Sequence, residues 1–190
     1  MTDNLNSQFE GKIGVITGST QGLGEAVVRL FAARGASGFV ICGRNSENGS
    51  KVADLISAQG CPTHFVEADL GLMEDCQRLI GEADSRFRRI DCLVNCAAIT
   101  DRGTVLDTSP ELFDRIFAVN TRATFILMQG ALKIMIREGI EGMVAKTYRV
   151  CLHLAVSPHF RLLRLQGGAF GAYKKCLVQH DGAIASGSTG

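Results

Sequence analysis

The 190-residue chain contains no tryptophan, three prolines and only two tyrosines. It has no long uninterrupted apolar run and no charged-then-apolar leader, so export and a membrane span are not expected. Charge of one sign is also missing, since 20 Lys and Arg stand against 19 Asp and Glu. A balance of that kind gives no signal for nucleic-acid binding over the first three quarters of the chain. The seven cysteines form no C-x-x-C pair. Cys92 and Cys96 flank a strand-like run, which is poor zinc geometry, and the four histidines show no ligand spacing. These thiols are expected to be reduced and mostly buried, as in a cytoplasmic protein. No metal role is expected.

What is present is a hydrophobic content of 46% in a length that suits one domain with a real core. Up to about residue 143, strand-like and helix-like segments alternate. Strands are predicted at Ile13–Thr17, Phe39–Cys42, Thr63–Glu67 and Cys92–Asn95. Helices are predicted at Gly22–Arg34, Asn48–Gln59, Leu72–Phe87, Pro110–Asn120 and Ala123–Glu138. Ser109 followed by Pro110 is a strong helix start. Such alternation implies an α/β fold with a doubly wound parallel sheet.

The first strand runs into Thr17-Gly18-Ser19-Thr20-Gln21-Gly22-Leu23-Gly24 and then into an amphipathic helix. Glycine permits positive φ and has no Cβ to block a ligand. A helix N-terminus offers unpaired N–H groups and partial positive charge to a pyrophosphate. The turn therefore points to a dinucleotide. The second strand ends at Gly43-Arg44-Asn45. In such βαβ units an acid near this point binds the ribose 2′-hydroxyl of NAD, whereas an arginine accommodates the 2′-phosphate of NADP. Arg44 therefore favours NADP, with NAD as the alternative.

These motifs in series resemble the short-chain dehydrogenase/reductase family of the classical type. Residues 17–24 match its TGxxxGxG turn. Asp69-Leu70 resembles the acid and apolar residue that contact the adenine. Asn95-Cys96-Ala97-Ala98 stands where the family usually has NNAG, keeping Asn95 and Ala97 and departing at the other two positions. Asn120, in Val119-Asn120, resembles the helical Asn that holds a water in the proton relay. The resemblance covers roughly residues 11–143 and implies a Rossmann-type NAD(P)-binding fold. It implies carbonyl reduction or secondary-alcohol oxidation on a small molecule, and a homo-oligomer in the intact family. The residues it places at the site are Thr17, Gly18, Ser19, Thr20, Gln21, Gly22, Leu23, Gly24, Arg44, Asn45, Asp69, Leu70, Asn95 and Ala97 for the cofactor, with Asn120 in the relay.

The family's chemistry also needs a Ser and a Tyr-x-x-x-Lys. Four-residue spacing puts Tyr and Lys on one helix face, and the cation lowers the phenol's pKa from about 10. Here Leu152 follows Tyr148 by four positions and Leu177 follows Tyr173, so neither tyrosine has its lysine. The sheet is thus expected to be incomplete at its C-terminal side, with an exposed edge. Charge changes at the same place. Residues 1–145 carry a net −4, and residues 146–190 carry 6 basic and 1 acidic residue. This divides the chain into an NAD(P)-binding part, 1–145, and an atypical basic tail, 146–190.

The tail is compatible with a frameshifted reading of a family gene. Codons allowed for residues 146–158, shifted by two bases, can spell N-I-S-S-M-S-A, one further residue, then G-G-Q-P. Those for residues 159–175, shifted by one, can spell I-F-A-Y-S-A-S-K-G-A-L-L-A-L-T-K-N. Those for residues 182–190, shifted by two, permit N-R-I-R-V-N-G. The shifted Ser, Tyr and Lys fall on codons 149, 162 and 166, which keeps the four-residue step. Residues from about 144 onward are therefore expected to be read out of frame. Sequencing the gene is the check, and codons incompatible with these readings would end the idea.

Overall fold

A computed structural model describes residues 7–101, 103–104, 106–147, 152–155 and 161–164. The elements run β1 (Ile13–Thr17), α1 (Gly22–Ala33), β2 (Gly38–Gly43), α2 (Ser46–Ala58), β3 (Thr63–Glu67), α3 (Met73–Phe87) and β4 (Cys92–Asn95). After these come α4 (Pro110–Phe117), a π turn over Ala118–Arg122, α5 (Ala123–Arg137), β5 (Met143–Lys146), β6 (Leu152–Ala155) and β7 (Arg161–Arg164). One sheet holds all seven strands in the order β3-β2-β1-β4-β5-β6-β7. The first five are parallel, and β6 and β7 are added antiparallel. This is the expected doubly wound α/β arrangement.

Period-two alternation along the central strands creates two cores. Val15, Val40, Leu93 and Val144 face Leu79, Leu127 and Met135 from α3 and α5. Their neighbours Ile16, Ile41 and Val94 face Val28, Phe31 and Ile56 from α1 and α2. β1 is buried along its whole length. That burial explains why it reads as a continuous apolar run rather than an alternating one.

The helix boundaries follow capping chemistry. Ser109 Oγ accepts the Leu112 N–H at 3.2 Å, with Pro110 in the first turn. Asn45 Oδ1 accepts the Asn48 N–H at 2.8 Å, so α2 begins at Ser46 rather than at the expected Asn48. The expected break between residues 120 and 123 is also absent. A π turn bridges it and makes 110–137 one continuous helical rod.

β5 was not among the expected strands. It is only four residues long, directly after Gly142, and gains its place by parallel pairing with β4. It spans the point where the charge balance changes. Its outer edge pairs with β6.

Asp91 fixes the base of β4 beside β1. Its Oδ2 accepts the Ile13 N–H at 2.9 Å and the Arg89 Nε–H at 2.9 Å, and its Oδ1 accepts from Arg89 Nη2 at 2.7 Å. Lys12 Nζ lies 3.6 Å away. The carboxylate is almost fully buried, so truncation leaves the Ile13 N–H without its partner. Asp91→Ala is expected to cost about 2–4 kcal/mol, read from urea unfolding. A loss below about 0.5 kcal/mol would show that Asp91 is not a tie.

Candidate functional site

The site is built where β1 runs into α1. Gly18 has φ 62°. A Cβ there would lie 2.7 Å from the Ala97 Cα, so this position requires glycine on both counts. Gly24 is equally constrained, because a Cβ would collide with the Gly18 carbonyl oxygen. Ser19 stitches the turn from behind. Its Oγ donates to the Ile16 carbonyl at 2.7 Å and accepts the Cys42 N–H at 3.2 Å. Thr17 Oγ1 accepts the Ala97 N–H at 3.1 Å, which joins this turn to the loop after β4. Gln21 precedes α1 in extended conformation and makes no side-chain cap hydrogen bond. The first-turn N–H groups of α1 are therefore available to an anion.

In front of the turn lies a cleft of about 350 Å³ at the carboxyl ends of β1, β2, β3 and β4. This is the topological switch point, where open α/β sheets bind ligands. Gly18, Thr20, Gln21, Gly22, Leu23 and Gly24 form one wall. Its charged lining residues are Arg44, Asp69 and Arg115. Arg115 Nη2 reaches both Asp69 oxygens, at 2.7 and 2.5 Å. The Gly71 N–H also donates to Asp69 Oδ1 at 2.9 Å. Arg122 Nη2 donates to the Gly71 carbonyl at 2.6 Å, so α4 and the π turn clamp this loop twice. The Arg115 hydrogen bond is the main cause holding the Asp69 carboxyl below its ordinary range. Arg44 is exposed and makes no ion pair among the described residues.

The deeper end is organised by Asn120. Its Oδ1 accepts the Ile99 N–H at 2.9 Å and its Nδ2 donates to the Ile99 carbonyl at 2.8 Å. The amide is thus committed to holding the loop after β4. The Asn120 carbonyl accepts from Thr124 Oγ1 at 3.1 Å, and Thr124 Oγ1 accepts from Lys146 Nζ at 2.6 Å. Burial pushes the Lys146 amine down from its ordinary value. Asn95 is buried, and its Nδ2 donates to the Ala145 carbonyl at 3.5 Å.

The structure therefore sorts the expected residues into two groups. Gly18, Thr20, Gln21, Gly22, Leu23, Gly24, Arg44, Asp69, Leu70 and Ala97 line the cleft. Thr17, Ser19, Asn95 and Asn120 stand behind it and hold its loops, and Asn45 caps α2. Sequence reasoning missed Arg115, along with the wall residues Cys96, Ile99 and Val119. Arg115 carries no motif of its own and is 46 residues from Asp69, so only the fold brings the two together. Tyr148, Tyr173 and most of the tail lie outside the described residues. Among the described residues no cluster of His, Cys, Asp and Glu could hold a metal, and no helix is long and apolar enough to cross a membrane.

A helix start without a side-chain cap, a glycine wall and an arginine without an ion pair among the described residues, all in one crevice, suit a phosphate-bearing ligand. Residues 12–149 match the family model for short chain dehydrogenase. The chain belongs to that family of oxidoreductases. It is 30% identical over 173 residues to versicolorin reductase 1 of Aspergillus parasiticus, covering 91% of this chain and 65% of the relative. It is 34% identical over 131 residues to an uncharacterized oxidoreductase of Thermotoga maritima, covering 69% of this chain and 51% of that one. Among solved structures, a 3-oxoacyl (acyl-carrier-protein) reductase from Agrobacterium tumefaciens with NADP bound superposes with TM-score 0.68 at 25% identity. That superposition covers 77% of this chain and 55% of the reductase. A Burkholderia cenocepacia short chain dehydrogenase in complex with NADP gives TM-score 0.64 at 28% identity, over 66% of this chain and 51% of that chain. The chain thus spans between half and two-thirds of the length of these relatives.

The Asp69–Arg115 pair has a defined pH signature. A carboxyl whose folded pKa is depressed stabilises the fold fully above its unfolded value, about 3.9. That contribution is lost only as the pH falls through the lower folded value. A carboxyl-carbon NMR titration should place the Asp69 midpoint below the ordinary carboxylate range. A midpoint at or above it would contradict the pairing.

Proposed function

We propose that this chain binds NADP, in preference to NAD, in the cleft in front of Thr17–Gly24. We further propose that, as its sequence stands, it does not complete the oxidoreductase reaction of its family. The observation that carries the binding reading is Arg44, exposed beside the uncapped start of α1 and without an ion pair among the described residues. An arginine in this place suits the 2′-phosphate of NADP. Asn45, capping α2 next to it, fixes the turn that presents Arg44.

In this reading the first-turn N–H groups of α1 take the pyrophosphate, and the wall of Gly18, Gly22 and Gly24 lets it approach the backbone. Ser19 and Thr17 keep that turn in shape. Asp69 and Leu70 receive the adenine, and Asn95 and Ala97 support the adenosine side. NADPH, when bound, supplies a hydride. The chain's own part in the chemistry is to orient the carbonyl or alcohol and to move a proton to or from its oxygen. Asn120 belongs to that relay by resemblance, and its backbone carbonyl accepts the Thr124 hydroxyl. The proton donor itself is what the sequence lacks. Neither tyrosine is followed four residues later by lysine.

The division at 145/146 belongs to the same proposal. The family match ends at residue 149, close to the charge break. Alignments of 173 and 178 residues to two versicolorin reductases nevertheless reach into the tail, so some likeness extends past that point. A frameshifted tail accounts for a sound cofactor half joined to a segment without the Ser and Tyr-x-x-x-Lys. The intact ancestor would act on a small-molecule carbonyl or alcohol as a cytoplasmic homo-oligomer. Three outcomes stay distinct: an oxidoreductase by descent that still turns over, a cofactor-binding module without catalysis, which the missing tyrosine–lysine pair favours, and an unstable remnant that binds no cofactor.

NADPH fluorescence with the purified chain, followed by a panel of carbonyl substrates, separates these readings. The expected result is saturable enhancement with NADPH, weaker with NADH, and no turnover. Robust turnover would overturn the claim of a missing proton donor. Soluble protein that binds neither cofactor would support the remnant.

A further inference from the structure

The cleft wall carries two arginines and one carboxylate, and their pairing is not symmetric. Asp69 lies within electrostatic range of Arg44 as well as in hydrogen-bond contact with Arg115. Charged groups beside Asp69 are already committed. Asp75 accepts the Asp69 N–H at 2.7 Å and pairs with Arg78 at 2.6 Å. Arg122 holds the Gly71 carbonyl. Asp69 is therefore the acid in the wall for which Arg44 could compete, and Arg115 takes it on both oxygens.

The geometry of this corner is built for that outcome. Arg115 projects from α4, whose start is fixed by the Ser109 cap. Its guanidinium passes over Gly71, where a Cβ would collide with Nη1. Both side chains of the pair are about one-third exposed, 35% for Arg115 and 32% for Asp69, so they face the cleft and are not sealed in the core. With Arg115 in place the charged wall sums to +1, and its uncommitted member is Arg44. Without it the wall sums to zero, and the acid left in the cleft lining for Arg44 is Asp69. A carboxylate in that position would also repel a phosphate directly.

We propose that Arg115 is a specificity-determining positioning residue of this cleft. By occupying Asp69 it keeps Arg44 free for a phosphate monoester on the adenosine ribose, so its loss turns the cleft away from NADP and toward NAD. This rests on the reading of the cleft as a dinucleotide site. Arg115 acts through Asp69 rather than by touching the phosphate, which distinguishes it from Arg44.

The test is a double-mutant comparison on the full chain, with NADPH and NADH affinities measured by fluorescence titration. Arg115→Met is expected to weaken NADPH on the order of tenfold, one charge-assisted hydrogen bond's worth, while NADH changes much less. Adding Asp69→Asn to that variant removes the competitor and is expected to return the NADPH-to-NADH ratio toward the wild-type value. A merely structural role would lower both affinities together and would not be rescued. An unchanged ratio in Arg115→Met, or a double variant whose NADPH-to-NADH ratio is no nearer the wild-type value than the single one's, overturns the proposal. If Arg115→Met is unfolded by circular dichroism, Arg115→Gln is measured instead. It keeps a hydrogen-bonding amide but removes the charge, and it must shift the ratio in the same direction. A wild-type chain that binds neither cofactor would instead overturn the dinucleotide reading, and this proposal with it.

Discussion

The parallel pairing of β1 with β4 sets the position of every group in the cleft. The two strands are neighbours in space although more than seventy residues separate them, and their register runs from Gly14 opposite Cys92 to Thr17 opposite Asn95. Asp91 holds the amino ends together through the Ile13 N–H. Thr17 holds the carboxyl ends together through the Ala97 N–H. Between these ties the side chains are apolar and buried, so the strands cannot slip without exposing one face of the core. The glycine turn and the loop after β4 open from this fixed pair. The gap between them is the crevice.

Around the crevice, polar side chains divide into those that meet a ligand and those that hold the wall. Ser19, Asn95 and Asn120 spend their hydrogen bonds on backbone groups of neighbouring strands and of the loop after β4. Buried amides and hydroxyls need such partners, because an unsatisfied one costs about 1–3 kcal/mol. The wall residues proper are glycines, small apolar side chains and a few charges. Rigid support behind and sparse chemistry in front is a physically economical way to present backbone N–H groups to a phosphate.

Much of this was legible in the sequence, and the reasons are specific. The turn at 17–24 is readable because steric demands at Gly18 and Gly24 leave glycine as the residue that fits. β1, β2 and β4 are readable because burial on both faces forces apolar runs. β5 was less visible because it has four residues and depends on pairing with β4 rather than on its own pattern. The roles of Thr17 and Ser19 were half-read. Their place in the motif was clear, but that they brace the turn from behind depends on where β2 and the loop after β4 fall. Arg115 was invisible because its partner is distant in the chain. Nothing in the local spacing of Asp114, Arg115 and Ile116 separates a wall residue from an ordinary helix-surface charge.

The π turn at Ala118–Arg122 gives the long helical rod an unequal tolerance to change. One extra residue within a turn offsets the face of everything after it by about 100° relative to an uninterrupted α-helix. α4 can therefore aim Arg115 at the cleft while Leu127, Ala131 and Ile134 of α5 meet the sheet. Apart from Arg115, Asn120, Arg122 and Thr124, which have specific partners, side chains along this rod are free to vary so long as their polarity suits their face. Its length is not. Losing a single residue at this point would restore a regular helix and rotate either the core-facing stripe or the cleft-facing one out of place. The segment thus behaves as a phase-setting spacer that fixes the angle between two faces.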